Sequence, residues 1–481
     1  MYQLAKKDSI SLIIILISFI LSIFISINTL NKNDKNSLYD GKTYHLMIKA
    51  DPLRYLSNGA EIKDEIIKGK KFLRSGGENY TKYLPSRLAA TYYLIFDRDL
   101  FNNLDDRTIN IGIHLEYLII QCLIYFFSIL ILYLVIKKRF DQKITKFIII
   151  FLCLEPTIFQ YHASFWSESI FFSLQILVLA LLLMENKKVL GFILLGVFAG
   201  VLSLQKQMAI FYIIPLIIYV SCFSKKKIIS ITPLIIGYLI IQIFLGYVNY
   251  KRSGKFYVMT ADTKINLHHI LVSSVMSKKL NISSLEFNIM EGNVVSEWMH
   301  QNKIQYSNKN KFITKENNFV DWLDYRREIL KESDKVLFDN YISSRTVQFF
   351  KKYPLIFLNQ IIIKSFHSAL LNPFHIYYDN KFRRGEVYYK SNTHQKLIPI
   401  RVIYSISLYL ICLFGLFTIY KKRDYKLLTA IILSVAYFYF LVSWHGNTRY
   451  FVPVVIYLSF LFSFGLNGIL EKRSNKINQI K

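Results

Sequence analysis

Cysteine is scarce in this chain of 481 residues, and its placement does not suggest covalent cross-links. The four cysteines all fall within apolar runs: Cys122, Cys153, Cys222 and Cys412. No C-x-x-C pair is present, so the sequence offers neither a disulfide framework nor a cysteine metal site. Any hydrophilic loop must therefore hold its structure through packing and hydrogen bonds.

Acidic residues are also few, with 32 Asp and Glu against 60 Lys and Arg, for a net charge of +28. In a soluble protein this excess would suggest a nucleic-acid partner. Here many basic residues directly follow apolar runs, so membrane topology explains them better, and no nucleic-acid-binding motif is visible. We expect no nucleic-acid partner.

Signatures of several other protein classes are missing. No G-x-x-x-x-G-K-S/T loop is present, which argues against ATP-driven transport by this chain. No internal repeat is evident, which disfavours a transporter built from two repeated halves. Neither an H-E-x-x-H helix nor the spacing of a hydrolytic triad occurs.

Long apolar runs, in contrast, are abundant. The chain is 53% hydrophobic and 16% aromatic, with a mean hydropathy of +0.30. A helix that crosses a bilayer needs about 20 apolar residues. The predicted fold class is an all-α polytopic membrane protein with about ten transmembrane helices, at 9–30, 113–136, 144–162, 168–185, 189–204, 207–223, 228–248, 399–420, 425–443 and 450–470.

Basic clusters predict the orientation of these spans. They follow every second span, at 137–139, 187–188, 225–227, 421–423 and 472–473. By the positive-inside rule these clusters and the N-terminus are cytoplasmic, so the hydrophilic stretches 31–112 and 249–398 lie outside. The first span lacks a small-residue cleavage site, and we interpret it as a retained anchor. The richness in Lys, Asn, Ile, Phe and Tyr suggests a bacterial source, and hence the cytoplasmic (inner) membrane.

The segment 355–371 is apolar but contains Lys364 and His367. If it crossed the membrane once, the cluster at 421–423 would move outside, so we predict an interfacial or re-entrant helix. The chain then divides into three parts. These are an N-terminal membrane core (1–248) that includes the first outer loop, an outer region of helical loops (249–398) that carries the interfacial helix, and C-terminal transmembrane helices (399–481).

Asp51 lies in the first outer loop and is followed by Pro52. Asp before Pro is a common helix start, and the cap is the more frequent role of this motif. The two roles are compatible, because a carboxylate held at a helix start stays ionised and can act as a general base.

Two further polar groups fall at the outer ends of spans. Glu168 follows Ser167 at the predicted start of the fourth span, where it is either part of a helix cap or faces a polar cavity. Lys206 lies in a short outer turn, where a lone lysine would usually snorkel. Glu155, beside Pro156, lies deeper, and we assign it no role.

The last outer turn contains His445, Arg449 and Tyr450. Arg449 is permanently charged and could clamp a phosphate with two parallel hydrogen bonds, or anchor the helix at the interface. The carboxylates Asp51 and Glu168 and the cations Lys206 and Arg449 are therefore expected on one membrane face. Such a face could hold an anionic lipid headgroup.

The order of these features resembles the GT-C membrane glycosyltransferases, the superfamily of the protein O-mannosyltransferases and the lipid A aminoarabinose transferases. Three matches carry the resemblance, which extends over about residues 1–470. They are Asp51-Pro-Leu-Arg-Tyr55 in the first outer loop, Ser167-Glu168 opening a helix, and Arg449-Tyr450 before a span that contains Pro453. Many relatives have a second acid after the loop carboxylate, whereas Pro52 stands here. The resemblance therefore leaves a divalent metal open as a cofactor and assigns no metal ligand.

The resemblance implies an inverting transfer of a sugar from a polyprenyl-phosphate donor to a glycan, lipid or protein acceptor at the outer face. Asp51 would accept the proton of the attacking hydroxyl, and Glu168 would hold the acceptor or orient a cation. Lys206 and Arg449 would bind the departing lipid phosphate. Residues expected to contact substrate are Tyr55, His445 and Tyr450.

Three alternatives remain open from the sequence. One is a polysaccharide polymerase or ligase of the cell envelope, and another is a flippase for lipid-linked sugars. The third is an inactive relative with a role in assembly. The spans carry almost no charge at their centres, and the polar residues lie at the outer ends. This pattern favours chemistry at the surface over passage through the bilayer.

Overall fold

The computed structural model is almost entirely helical. It describes residues 9–34, 51–71, 83–98, 101–103, 108–109, 115–162, 167–185, 187–253, 256–258, 265, 267–304, 332–372, 392–442 and 448–480. The N-terminal half contains α1 (Ser9–Asp34), α2 (Asp51–Ile67), α3 (Tyr83–Ile95), β1 (Phe101–Asn103), β2 (Thr108–Ile109), α4 (Leu115–Ile136), α5 (Gln142–Leu154), α6 (Pro156–Phe159), α7 (Glu168–Leu183), α8 (Val189–Gln205), a 3₁₀ turn (Gln207–Ala209), α9 (Ile213–Phe223) and α10 (Lys227–Ser253).

The C-terminal half continues with a π-helical turn (Leu267–Val272), α11 (Ser273–Leu280), α12 (Ser284–Gln301), α13 (Glu332–Lys352), α14 (Pro354–Ala369), α15 (Asn392–Lys421), α16 (Tyr425–Val442) and α17 (Thr448–Ile480). The two short strands pair antiparallel in the first outer loop, with Phe101 opposite Ile109. This small sheet is a minor departure from the all-α prediction.

Among the described residues, five helices are long and apolar enough to cross a bilayer by length and composition: α1, α4, α10, α15 and α17. Shorter apolar helices lie between them: α7, α8, the segment Gln207–Phe223 and Tyr425–Phe440 of α16. The predicted all-α polytopic membrane fold is confirmed, and the chain is an integral multi-pass membrane protein. Shortened spans are compatible with a bilayer where their ends are buried in protein.

The predicted span 144–162 was wrong in one respect, because the helix stops at Leu154. Pro156 has no N–H for the carbonyl of Leu152, and the Tyr125 hydroxyl donates to that carbonyl instead, at 2.7 Å. Glu155 then caps the one-turn helix α6, accepting from the Ile158 N–H at 2.9 Å and from the Thr157 hydroxyl. Glu155 therefore has a structural role at this kink.

Glycines permit the two closest helix pairs in the core. A Cβ atom at Gly196 of α8 would lie 2.0 Å from the Leu234 carbonyl oxygen of α10. A Cβ atom at Gly415 of α15 would lie 1.7 Å from the Leu461 carbonyl oxygen of α17. These distances are far shorter than van der Waals contact, so both crossings need glycine.

The turns that carry the basic clusters meet at one end of the bundle. Arg139, after α4, donates to both carboxylate oxygens of Asp424, before α16, at 2.7 and 3.0 Å. The basic turn between α7 and α8 lies at the same end as Lys426 and Arg139. Glu168 begins α7, whose 16 residues span about 24 Å, so it lies at the opposite end.

A buried ion-pair cluster joins α12 and α13. Glu291 is 3% exposed and accepts from Arg345 through both carboxylate oxygens, with Arg345 Nη2 2.6 Å from Oε2. His268 Nε2 lies 3.3 Å from Glu291 Oε1, and His268 Nδ1 lies 2.9 Å from the Thr346 hydroxyl. These contacts join three segments that are distant in the sequence.

The segment predicted to lie in the interface forms α14, a helix of 16 residues. Four large apolar side chains on it are exposed: Leu355, Leu358, Ile362 and Phe366. Their spacing places them on one face of the helix, as expected for a helix that lies at a membrane surface.

Candidate active site

Glu168, the first residue of α7, is completely buried, with 0% exposure. A buried carboxylate is costly unless it is paired with a positive charge and hydrogen bonded. Lys206 provides the charge, with Nζ 2.6 Å from Glu168 Oε1 and a side chain that is 10% exposed. The Lys206 ammonium also lies 5.5 Å from the centre of the Phe171 ring, within range of a cation–π contact.

The antiparallel packing of α7 and α8 explains why these two charges meet. The helices are joined by the short basic turn at 184–188, so the start of α7 and the end of α8 adjoin at the other end. Lys206 follows α8 in an extended conformation, with φ −147° and ψ 123°. A lone lysine in such a turn would usually snorkel, whereas Lys206, predicted as a phosphate-binding cation, has a buried acidic partner in the structure.

Ser167 connects this pair to two other segments. Its hydroxyl lies 3.3 Å from the Tyr55 hydroxyl of α2, and its carbonyl accepts from Gln205 Nε2 at 2.9 Å. The alternative that Ser167 caps α7 was wrong, because its side chain makes no capping hydrogen bond. Its backbone is helical, whereas a capping residue needs an extended conformation to reach the N–H groups.

The Tyr55 contact brings the first outer loop to the start of α7. Tyr55 is 4% exposed, and α2 begins four residues earlier at Asp51, as the Asp-Pro start signal predicts. One helical turn, about 6 Å along the axis, therefore separates Asp51 from Tyr55. The side chain of Asp51 lies outside the described part of the structure.

The predicted residues of the last outer turn are placed only in part. Arg449 and Tyr450 belong to the first turn of α17, but their side chains are outside the described residues. His445 lies in the gap at 443–447, which is also outside them. Their proximity to Glu168 therefore stays a prediction.

Tyrosines of the C-terminal helices α16 and α17 hold the segment that follows Lys206 in place. Tyr437 of α16 donates to the Met208 carbonyl at 2.8 Å and accepts from the Phe211 N–H at 3.0 Å. Tyr212 is hydrogen bonded to Ser434 and to Tyr457 of α17, at 2.7 and 2.8 Å. Lys206 is thus positioned by α16 and α17 as well as by its own helices.

Two buried residues on neighbouring segments were not selected from the sequence. Gln205 contacts Ser167, and its position beside Lys206 is the only local signal for it. Arg87 of α3 is 4% exposed and lies 5.2 Å from the Tyr83 ring centre, in a helix that packs against Leu204 of α8 through Tyr83. Burial lowers the pKa of Arg87, and the neighbouring Tyr83 and Glu65 oppose that effect. An arginine among alanines and leucines of a helix is the signal that could have identified it.

The described residues do not fit a divalent metal at Glu168. Lys206 already supplies a positive charge at its Oε1 atom, and an ammonium and a metal ion would compete for this carboxylate. Within the ranges that the structure describes, no three His, Cys, Asp or Glu side chains are grouped so that they could hold an ion.

Comparison with known protein families gives a match for part of the chain. Residues 114–248 match the family model described as dolichyl-phosphate-mannose-protein mannosyltransferase. The matched segment includes α4 to most of α10, and with them both Glu168 and Lys206. The match confirms, for this segment, the resemblance to membrane glycosyltransferases inferred from the sequence. No curated protein sequence matches the chain.

Solved structures that the chain resembles include oligosaccharyltransferases of Archaeoglobus fulgidus. One is AglB in complex with an inhibitory peptide and a dolichol-phosphate, with 11% identity, a TM-score of 0.45, and coverage of 97% of this chain and 52% of that one. Another is an oligosaccharyltransferase in complex with Zn and sulfate, with 10% identity and a TM-score of 0.42. That match covers 95% of this chain and 49% of the other. The chain thus spans about half the length of these structures.

Proposed function

We propose that this chain is a membrane glycosyltransferase that moves a sugar from a polyprenyl-phosphate donor to a glycan, lipid or protein acceptor. The observation that carries the proposal is the buried Glu168–Lys206 pair, which lies within the segment matched by the mannosyltransferase family and is joined to the first outer loop through Tyr55. The proposal assigns the reaction to the outer face of a bacterial cytoplasmic membrane. That assignment is supported by the basic clusters, which gather at the other end of the bundle.

In the proposed reaction Asp51 acts as the general base. It accepts the proton of the acceptor hydroxyl while that oxygen attacks the anomeric carbon and the bond to the donor phosphate breaks. Attack from the face opposite the phosphate inverts the anomeric centre. Asp51 precedes Tyr55 by one turn, and Tyr55 touches the residue before Glu168, so the base and the pair belong to neighbouring segments.

Lys206 is the proposed ligand of the departing phosphate, whose negative charge grows as the bond breaks. An ammonium has three N–H donors, so its bond to Glu168 is compatible with a second bond to phosphate. Glu168 acts as a positioning residue, because it fixes the ammonium at the membrane depth of the start of α7. Arg449 is the proposed second cation at the phosphate, and His445 and Tyr450 are proposed to contact substrate.

The donor tail is proposed to lie against exposed apolar residues of the spanning helices. A prenyl chain does not leave the bilayer, so an enzyme that uses it needs its reactive groups at the membrane surface. The family description names a dolichyl-phosphate mannose donor and a protein acceptor. For this chain we propose the same class of donor, while the sugar and the acceptor are to be identified by assay.

The test is a transfer assay with purified full-length protein, a panel of polyprenyl-phosphate sugars and an extract of envelope acceptors. Asp51→Asn should reduce transfer by about 100-fold or more, since general base catalysis contributes that much. The matched control is Asp64→Asn, an exposed position on the same helix, which should leave transfer unchanged. Full activity of the Asp51 variant would exclude it as the base. Absence of transfer by the wild-type protein with every donor would contradict the proposed function itself.

A further inference from the structure

A second site is visible at the basic end of the bundle, about 24 Å or more from Glu168 along α7. Here the turns that follow α4, α7 and α9 and the start of α16 surround a cavity of about 860 Å³. Its lining contains six basic side chains: Arg139, Lys187, Lys188, Lys225, Lys226 and Lys426. The proposed glycosyl transfer uses none of them.

Acidic groups balance only part of this charge. Asp424 pairs with Arg139, and Glu185 is the acidic residue of the lining. The Lys187 ammonium donates to the carbonyls of Leu182 and Met184 at the end of α7, at 3.0 and 2.5 Å. Burial and the nearby charges of Arg139 and Lys426 lower the pKa of Lys187 to about 8, against the opposing effect of Glu185. The cavity therefore carries an excess of positive charge.

The walls of the cavity are apolar, which distinguishes it from a site for a soluble anion. Phe192, Tyr219, Phe223 and Ile229 contribute to the lining between the basic side chains. Two of the lining residues, Val189 of α8 and Ile229 of α10, are 49% and 54% exposed. In a chain that spans the membrane, such side chains face lipid, so the cavity opens toward the acyl chains of one leaflet.

We propose that this cavity binds the phosphodiester headgroup of an anionic phospholipid, with the acyl chains along the exposed apolar starts of α8 and α10. Lysines close to an anionic membrane surface attract it, and basic pockets between transmembrane helices suit acidic headgroups. The cations come from turns that are far apart in the sequence, so a bound lipid would tie together α4, α7, α9 and α16. This inference does not rest on the proposed transferase function.

The test measures lipid retention by native mass spectrometry on full-length protein in detergent. The two probes are phosphatidylglycerol and phosphatidylcholine with identical acyl chains. The wild-type protein should retain phosphatidylglycerol preferentially. The double variant Lys188→Gln/Lys426→Gln, at two exposed lining positions, should weaken this retention by about tenfold or more, since each surface lysine is worth about fivefold.

The matched control is Lys421→Gln/Lys422→Gln, which removes the same charge at the same end but outside the lining. The control should retain the lipid as the wild-type protein does. Equal retention of the two lipids, or an equal loss in the two double variants, would overturn the proposal. Displacement of phosphatidylglycerol by glycerol 3-phosphate at equal concentration would also overturn it, because the ligand would then be a soluble phosphate.

Discussion

At the scale of single residues, the Glu168–Lys206 pair is a buried ion pair at the end of the bundle opposite the basic clusters. Both groups are largely removed from water, and the opposite charge at 2.6 Å offsets part of the cost of burying each one. The exposed pair Lys70–Glu65 has a similar separation of 2.8 Å, but its side chains are 46% and 26% exposed. Water solvates both of those charges, and the same interaction is worth little there.

Glu168→Gln should destabilise the folded protein by about 3–5 kcal/mol, because it removes the carboxylate that lies against the buried Lys206 ammonium. The double variant Glu168→Gln/Lys206→Met should recover much of that loss, since neither charge is then present. The measurement is the thermal unfolding midpoint of the detergent-solubilised protein. Lys70→Gln serves as the exposed control and should cost less than about 1 kcal/mol. A double variant that is less stable than Glu168→Gln would contradict this account.

Glu291 should make the outer region sensitive to acid. Burial raises its pKa, but the hydrogen bonds and charges of His268 and Arg345 outweigh burial, and the net pKa lies below the ordinary value of 4.5. A lowered native pKa means that ionised Glu291 stabilises the fold above pH 4.5. This stabilisation is lost as the pH falls through the lowered value.

The fall in the unfolding midpoint between pH 7 and pH 3 should therefore be smaller in Glu291→Gln than in the wild-type protein. Glu291→Gln should also be less stable than wild type at pH 7. The control is Glu297→Gln, an exposed position on the same helix, which should show the wild-type pH dependence. The same acid response in Glu291→Gln as in wild type would show that other carboxylates govern it.

At the scale of helices, close backbone contact at glycine determines which neighbours can pack. The α15–α17 crossing uses Gly415 and Gly465, and a Cβ atom at either would meet a carbonyl oxygen of the facing helix. Carbonyl oxygens belong to the helix backbone and cannot move aside as a flexible side chain can. A substitution must therefore separate the two helices.

Gly415→Ala should lower the unfolding midpoint, although alanine is the better helix former, because the helices must move apart by more than an ångström. Gly292→Ala on α12 should have the opposite effect on stability, because no atom lies within 4 Å of the added Cβ atom. It should stabilise the protein by about 0.5–1 kcal/mol. The comparison of the two midpoints is the measurement, and a destabilisation of equal size at both positions would remove the packing explanation.

At the scale of the whole molecule, the apolar runs and the basic clusters predicted the membrane fold and its two ends. They did so because burial in lipid imposes length and charge rules that are local in the sequence. The break after Leu154 and the meeting of Glu168 with Lys206 depend on tertiary packing. The proline and the lysine were visible in the sequence. The Tyr125 hydroxyl that bonds the Leu152 carbonyl lies 27 residues from it, and Glu168 lies 38 residues from Lys206, so neither contact could be chosen from periodicity.

Of the candidate site, the local features were predictable from the sequence and the long-range contacts were not. Asp51 was placed at a helix start from its neighbour Pro52, and the structure begins α2 there. The hydroxyl contact between Tyr55 and Ser167 joins segments 112 residues apart, and no local pattern encodes such a contact. The dipeptide Ser167-Glu168 suggested a helix cap, because capping signals are local in the sequence. The ion pair of Glu168 with Lys206 joins two helices and leaves no local signal.

The position of the buried pair also bears on how the protein enters the membrane during synthesis. Glu168 and Lys206 lie at the two free ends of a hairpin formed by α7 and α8, whose connecting turn carries Lys187 and Lys188. If that turn stays in the cytoplasm, both charges must cross the hydrocarbon core on the leading end of the hairpin. A lone charge at the centre of a bilayer costs about 3 kcal/mol, and a pair that forms first crosses as a neutral dipole. In that orientation the order of synthesis matters, because Lys206 can join Glu168 only after α8 has been made.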